Sequence, residues 1–313
     1  MSDIKLFRFA KDHAEELAGR SALVERELHD LMEKHMKCFL GIHFVAHEYS
    51  TGKNHKGRID SLGLDENYCP VIIEYKRHSN ETVINQGLYY LDWLLDHKAE
   101  FKLLVMERFD KKIADDIEWG GTRVLCVAGD FTKFDEHAVA QIGRNIELIR
   151  YKYFTNDLLM LEWLNPVKSE GTVGLPRADS EQTPLNEASL SQKKKEQTFS
   201  DNLACISGSF KTLFEDVSSF ILSLGDDINA KPVKYYMAFS RLKNFVCLAI
   251  FPQEPHLKLW VKLPSKSVAE EKGFIRHVHN TGHWGTGDVE IIIRDETTFK
   301  KAKPLIERAY QEN

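Results

Sequence analysis

The chain has 313 residues, 42% hydrophobic and 28% charged, which is enough for two domains with substantial cores. A formal net charge of −5 excludes bulk positive charge as a way of gripping nucleic acid, so such a partner needs a local basic patch. No apolar run approaches the roughly 20 residues of a membrane span. Dispersed cysteines without a CxxC pair, and an opening as charged as MSDIKLFRFAKDH, predict reduced thiols in a cytoplasmic protein.

In chain order, Leu23, Val24, Leu28, Leu31, Met32 and His35 recur at helical spacing and predict a helix from Ser21 to about Phe39. IHFVAHEYS alternates as a strand. Two further strands flank a short polar turn in GRIDSLGLDENYCPVIIEYKR, residues 57–77. NETVINQGLYYLDWLLDHK follows as a helix with Val83, Gly87, Tyr90, Leu91 and Leu94 on one face. FKLLVME and TRVLCVA read as buried strands, Asp135–Ile149 as a helix, and RYKYF and LLMLEWL as late strands. Helices interleaved with strands in this order predict an α/β fold with a mixed sheet.

The hairpin in residues 57–77 carries charges where a half-buried strand should be apolar. With its turn centred near Asn67, Asp60 faces Glu74 and Leu62 faces Ile72, with opposed Cβ atoms about 5 Å apart. Lys76, two residues beyond Glu74, points the same way. Two carboxylates this close suit one hard divalent cation, and the ammonium can orient water or offset charge on a phosphoryl group. A cross-strand ion pair on a solvated face fits the same residues. Glu27 sits at the edge of the first helix's apolar stripe, and Gln86 and Tyr90 lie one turn apart on the helix after Lys76. STGKNHKGR adds Lys53, His55, Lys56 and Arg58 without an acid, and Arg77 and His78 extend the positive charge. A basic rim of this kind serves a phosphate backbone, although a solvated loop has the same composition.

Glu27 on its helix, D-x13-E-x-K as Asp60, Glu74 and Lys76, and Q-x3-Y as Gln86 and Tyr90 together resemble the PD-(D/E)XK nuclease superfamily. GRIDSLGLDE, PVIIEYKR and INQGLYYLDWL look most like the branch related to NucS-type, mismatch-cleaving endonucleases. The resemblance covers most of residues 1–165; Ile59 stands where that superfamily's motif has proline. It implies a restriction-endonuclease-like αβββαβ core and hydrolysis of phosphodiester bonds in DNA, in repair or defence. By the same resemblance, Asp60, Glu74 and the backbone carbonyl of Tyr75 would hold Mg²⁺ or Mn²⁺. Lys76 would activate water, Glu27 would support the metal, and Gln86 would position substrate or metal water. Lys53, Lys56, Arg58, Arg77 and Tyr90 would bind substrate. A non-catalytic nucleic-acid-binding or scaffold protein of the same fold is the alternative, and a homodimer is left open.

Residues 166–200, rich in Ser, Pro, Glu, Gln and Lys, read as a flexible linker between domains 1–165 and 201–313. In the second domain, Phe210, Leu213, Phe214, Val217, Ile221 and Leu224 mark an amphipathic helix. VKYYMAFS, NFVCLAIF, LKLWVKL and DVEIIIR read as strands and TTFKKAKPLIERAY as a closing helix, a small α+β unit. Seven Lys or Arg stand against one acid, Glu254, between Lys231 and Lys266. Tyr235, Tyr236, Phe245 and Trp260 are interleaved among them. A base-stacking surface fits that pattern, but alternation alone places aromatics in a core and lysines in water. His277, His279 and His283 have zinc-compatible spacing, yet a glycine-rich turn is the better reading of HVHNTGHWGTGD. This domain resembles a small module of unknown function that accompanies nuclease-like domains.

Overall fold

The computed structural model describes residues 4–11, 13–22, 24–77, 82–155, 157–164, 197–279 and 285–313. Of the segment read as a linker, residues 166–196 lie outside this set.

An antiparallel hairpin of β1 (Leu6–Ala10) and β2 (His13–Leu17) leads into the short β3 (Gly19–Arg20). Helix α1 (Glu25–Leu40) buries Leu28, Met32, Met36 and Leu40, a four-residue recurrence that sets one face against the sheet. It stops at Gly41, whose φ of 67° is the left-handed geometry that glycine adopts freely. Then come β4 (His43–Ser50), the one-turn α2 (Gly52–His55), β5 (Arg58–Leu64) and β6 (Pro70–Lys76). Next are α3 (Thr82–Asp96), α4 (Lys98–Arg108), α5 (Lys111–Asp115), β7 (Arg123–Ala128), α6 (Lys133–Gln141), β8 (Ile146–Phe154) and β9 (Leu158–Leu164).

The sheet runs β3-β8-β7-β6-β5-β4, with β9 also on β8. β4, β5 and β6 are antiparallel, whereas β6–β7 and β7–β8 are parallel, so the expected mixed α/β sheet is present. Strand alternation gives each face its own core. Val71, Ile73 and Tyr75 of β6 pack with α1, while Ile72 packs with Val83 and Leu91 of α3.

Two expected elements are corrected. FKLLVME is not a strand but part of α4, whose Phe101 and Val105, one turn apart, are fully buried. The helix expected over Asp135–Ile149 ends at Gln141, and Ile146 already opens β8.

The C-terminal unit starts with α7 (Phe199–Cys205), capped by a reciprocal Thr198–Asp201 box, and α8 (Gly208–Leu222). β10 (Asn229–Pro232), β11 (Met237–Ser240), β12 (Asn244–Phe251), β13 (His256–Val261), β14 (Ile275–His277) and β15 (Val289–Ile293) follow. They form an antiparallel sheet in the order β10-β11-β12-β13-β15-β14, and α9 (Glu296–Glu312) closes the chain. Phe214, Val217 and Ile221 of α8 and Phe299, Ala302 and Ile306 of α9 form the main core with one sheet face.

Three lysines of this unit reach residues of the N-terminal one, while Lys258 pairs with Glu290 within it. Lys262 Nζ lies 2.6 Å from Glu66 Oε1, Lys231 donates to the Gly121 carbonyl at 2.7 Å, and Lys243 to the Cys38 carbonyl at 3.0 Å. Asn244 and Tyr236 both donate to Asn67 Oδ1, at 2.7 and 3.0 Å. Tyr236, Phe245 and Trp260 are buried, as alternation implied. His277 is committed to the Val268 carbonyl at 2.8 Å, and His283 lies outside the described residues.

Candidate active site

The site forms where β5 and β6 part. Their ladder runs from Leu64–Pro70 through Leu62–Ile72 to Ser61–Ile73 and stops there. On the other side of β5, the ladder to β4 pairs Ser61 with His47 and Ile59 with Tyr49, skipping Asp60. Opposite the skipped position, Glu48 has φ of 43°, a left-handed conformation uncommon for a residue with a Cβ. Asp60 is thereby released from the ladder on both sides.

Side chains take over the lost backbone bonds. The Tyr75 N–H donates to Asp60 Oδ2 at 3.0 Å, and the Asp60 N–H donates to Glu74 Oε1 at 3.2 Å. Each strand's freed amide thus holds the other strand's carboxylate, satisfying groups that could not be left unpaired inside the protein. The exchange locks Asp60 and Glu74 side by side.

Their electrostatics are unfavourable. Glu74 is 1% exposed; burial and then the neighbouring Asp60 charge push its carboxyl up to about 9. Burial also raises Asp60, against the pull of the Tyr75 N–H and the Lys76 charge. Two adjacent carboxyl groups held above their ordinary range retain a proton at neutral pH or need a cation.

Lys76 stands at the mouth, its Nζ 3.4 Å from Glu25 Oε1, while Glu25 Oε2 accepts from the Arg77 N–H at 3.2 Å. Glu25 also acts electrostatically on both Asp60 and Glu74. Glu27, the acid singled out from the sequence, is exposed and acts on Tyr153 instead. The helical carboxylate at the site is therefore Glu25. It lies in the first turn of α1, ahead of the apolar stripe, where acids are common simply because they suit the helix dipole.

Tyr90 on α3 faces the pair. Burial raises its phenol, as do the Glu74 and Asp60 charges. Its hydroxyl oxygen accepts from the Arg58 N–H at 3.3 Å. A Cβ on Gly57 would stand 2.5 Å from the Tyr90 ring, so this glycine lets the β5 loop approach. Gln86, one turn before, has a buried Oε1 with no hydrogen-bond donor among the described residues. Lys53, Lys56 and Arg58 are exposed on that loop, with Arg58 paired to Glu48 at 3.2 Å; Arg77 is exposed beyond Lys76. His78 lies outside the described residues.

The donor set fits a hard divalent cation. Two carboxylates are pre-positioned without a neutralising partner between them, and Gln86 offers an orphaned oxygen on the adjacent helix.

A second polar cluster went unnoticed in the sequence. His29 and Glu33 of α1 meet His47 of β4 and Ser61 of β5 behind Asp60, and the His29 ring lies 4.9 Å from that of Tyr75. The legible signal was the four-residue spacing of His29 and Glu33 on the buried face of α1.

A family model described as a domain of unknown function, DUF5655, matches residues 195–313. An uncharacterized protein from Haemophilus influenzae is 32% identical over 311 residues, spanning 99% of this chain and 100% of that protein. The chain belongs to the same family as that protein. Among solved structures, a repair endonuclease from Pyrococcus abyssi is similar at 18% identity and a TM-score of 0.28, over 41% of this chain and 48% of that one. A structure described as an EndoMS–dsDNA2 complex is similar at 19% identity and a TM-score of 0.25, over 41% and 46%. These likenesses span less than half of either chain and carry no argument about activity. No helix among the described residues is long and apolar enough to cross a membrane.

Proposed function

We propose that the protein is a metal-dependent nuclease hydrolysing phosphodiester bonds in DNA, with the β5–β6 fork as its active site. The observation that carries this is the reciprocal capture of Asp60 and Glu74 by the Tyr75 and Asp60 amides, with Lys76 at the opening. In this reading α1, β4–β6, α3 and β7 serve as a PD-(D/E)XK core.

Asp60, Glu74 and the Tyr75 carbonyl would hold Mg²⁺ or Mn²⁺, which supplies Lewis acidity toward a phosphoryl oxygen and a more acidic bound water. The two carboxylates fix the position of that charge. Lys76, oriented by Glu25, stabilises negative charge building on the phosphoryl group and orients the attacking water. Gln86 presents its free oxygen, and Tyr90 holds the loop bearing Lys53, Lys56 and Arg58 against the site. These lysines and arginines, with Arg77, follow the phosphate backbone.

The test is incubation of the full chain, beside Glu74→Ala, with labelled duplex, mismatched, branched and single-stranded DNAs in Mg²⁺, Mn²⁺ or EDTA. Cleavage that requires both metal and Glu74 is the expected result. DNA binding that ignores EDTA, with no cleavage of any substrate, would establish a non-catalytic nucleic-acid-binding protein instead.

A further inference from the structure

The geometry points to a second metal site, for a zinc-class transition ion, formed by His29, Glu33 and His47 on the α1 face of β4 and β5. It stands apart from the nuclease reading, since none of these side chains belongs to the fork.

Three potential ligands converge there from two elements. His29 Nε2 lies 2.9 Å from Glu33 Oε1, and His47 Nδ1 lies 3.3 Å from Glu33 Oε2. The ligand atoms of all three residues fall within 4.8 Å of one another. Ligands about 2.0–2.1 Å from a tetrahedral zinc ion stand about 3.3 Å apart, so small rotations suffice to close a shell around it. His29 and Glu33 share a helix face at a four-residue spacing, and the ladder pairing of His47 with Ser61 sets both on the strand surface below.

The chemistry of the set favours a soft-borderline cation over hydrogen bonding alone. Around the one nitrogen His29 Nε2 lie three oxygens: Glu33 Oε1 at 2.9 Å, the Asp60 carbonyl at 3.1 Å and Ser61 Oγ at 3.1 Å. That nitrogen has one N–H or one lone pair and cannot satisfy all three. Ser61 already donates to Glu33 Oε1 at 2.6 Å, which fixes the carboxylate. His47 Nε2 lies 4.0 Å from Glu48 Oε2, beyond hydrogen-bond reach, which leaves His47 Nδ1, 3.3 Å from Glu33 Oε2, as the ligand atom. Two imidazoles and a carboxylate, with a hydroxyl or water as fourth ligand, make an N₂O set suited to Zn²⁺ rather than Mg²⁺. Such an ion would clamp α1 to the strands that carry Asp60.

The test is a titration of chelator-stripped full-length protein with Co²⁺, read by visible d–d absorption, followed by displacement with Zn²⁺ and metal analysis. One tetrahedral Co²⁺ per chain, replaced by Zn²⁺ and insensitive to excess Mg²⁺, is expected. Asp60→Ala/Glu74→Ala should keep these bands even where cleavage is lost. The His47 side chain is partly exposed, so His47→Ala should lose the bands with the fold intact by circular dichroism. Bands unchanged in His47→Ala, bands lost only in the fork variant, or no tetrahedral spectrum at all would each overturn the assignment.

Discussion

Two glutamates, each on a strand inside its sheet and each almost fully buried, behave in opposite ways. Glu290 on β15 is 3% exposed and meets Arg276 at 2.9 Å and Lys258 at 3.5 Å. Glu74 on β6 is 1% exposed, and the charge acting on it most strongly is that of another acid, Asp60. The first arrangement neutralises a charge within the fold; the second holds two acids that keep a proton at neutral pH or need a cation. Burial alone does not mark a functional acid. A buried acid whose hydrogen-bond partners hold it beside a second acid is a candidate for one.

This contrast is broken most sharply by catalysis. Glu74→Ala and Asp60→Ala should each lower metal-dependent cleavage by at least about 10³-fold, and Lys76→Ala by about 10²-fold, measured as single-turnover rates. Equivalent changes at Glu290 should leave the rate unchanged. Glu25→Ala should cost about 5-fold, the scale of losing one half-exposed orienting ion pair, while Glu27→Ala stays at the wild-type rate. If Glu27 proved the more sensitive of the two, the placement of α1's acid at the site would be wrong.

Stability sharpens the same comparison. In the metal-free protein Asp60 and Glu74 bind protons more tightly folded than unfolded. The stability linked to them is therefore fully present below the ordinary carboxylate range and is lost as pH rises toward about 9. Mg²⁺ should accordingly raise the melting temperature more at pH 8.5 than at pH 6. Glu74→Gln should raise the metal-free melting temperature at pH 8 by on the order of 5 °C, because the fold must keep the Glu74 carboxyl protonated where the unfolded chain ionises it, a cost the amide does not carry. Glu290→Gln should do the reverse and lose about 1–2 kcal/mol, limited by the access of Arg276 and Lys258 to water. Both are readable by scanning calorimetry.

The register of the hairpin was legible because side-chain alternation and a polar turn together fix which residues face each other; Leu62 does pair with Ile72. The fork itself was not. Its geometry depends on Glu48 breaking the β4 ladder, and nothing about a glutamate in a strand announces a left-handed backbone. FKLLVME misled because a short apolar run has no period of its own, and only the folded context shows Phe101 and Val105 one turn apart. The overlong helix from Asp135 ran through Gly143, where a break was available to be read. Glu27 was singled out from the apolar stripe alone, and a stripe locates a helix face only to within a residue or two. The basic strands of the second domain read best as an alternating sheet with its lysines in water, whereas Lys231, Lys243 and Lys262 contact Gly121, Cys38 and Glu66, which alternation along one strand does not disclose. The His29, Glu33 and His47 cluster joins a helix to a strand, a convergence that spacing along one element does not disclose.

The central claim, that the fork exists to hold a divalent cation, is tested most directly by titration calorimetry of Mg²⁺ into the full chain at pH 7 in buffers of different ionisation enthalpy. One ion bound with release of about one proton, both lost in Glu74→Ala, is the result predicted from two carboxyls that share a proton in the free protein. Binding without proton release, or binding that survives Glu74→Ala, would contradict it and return the hairpin to a purely structural role.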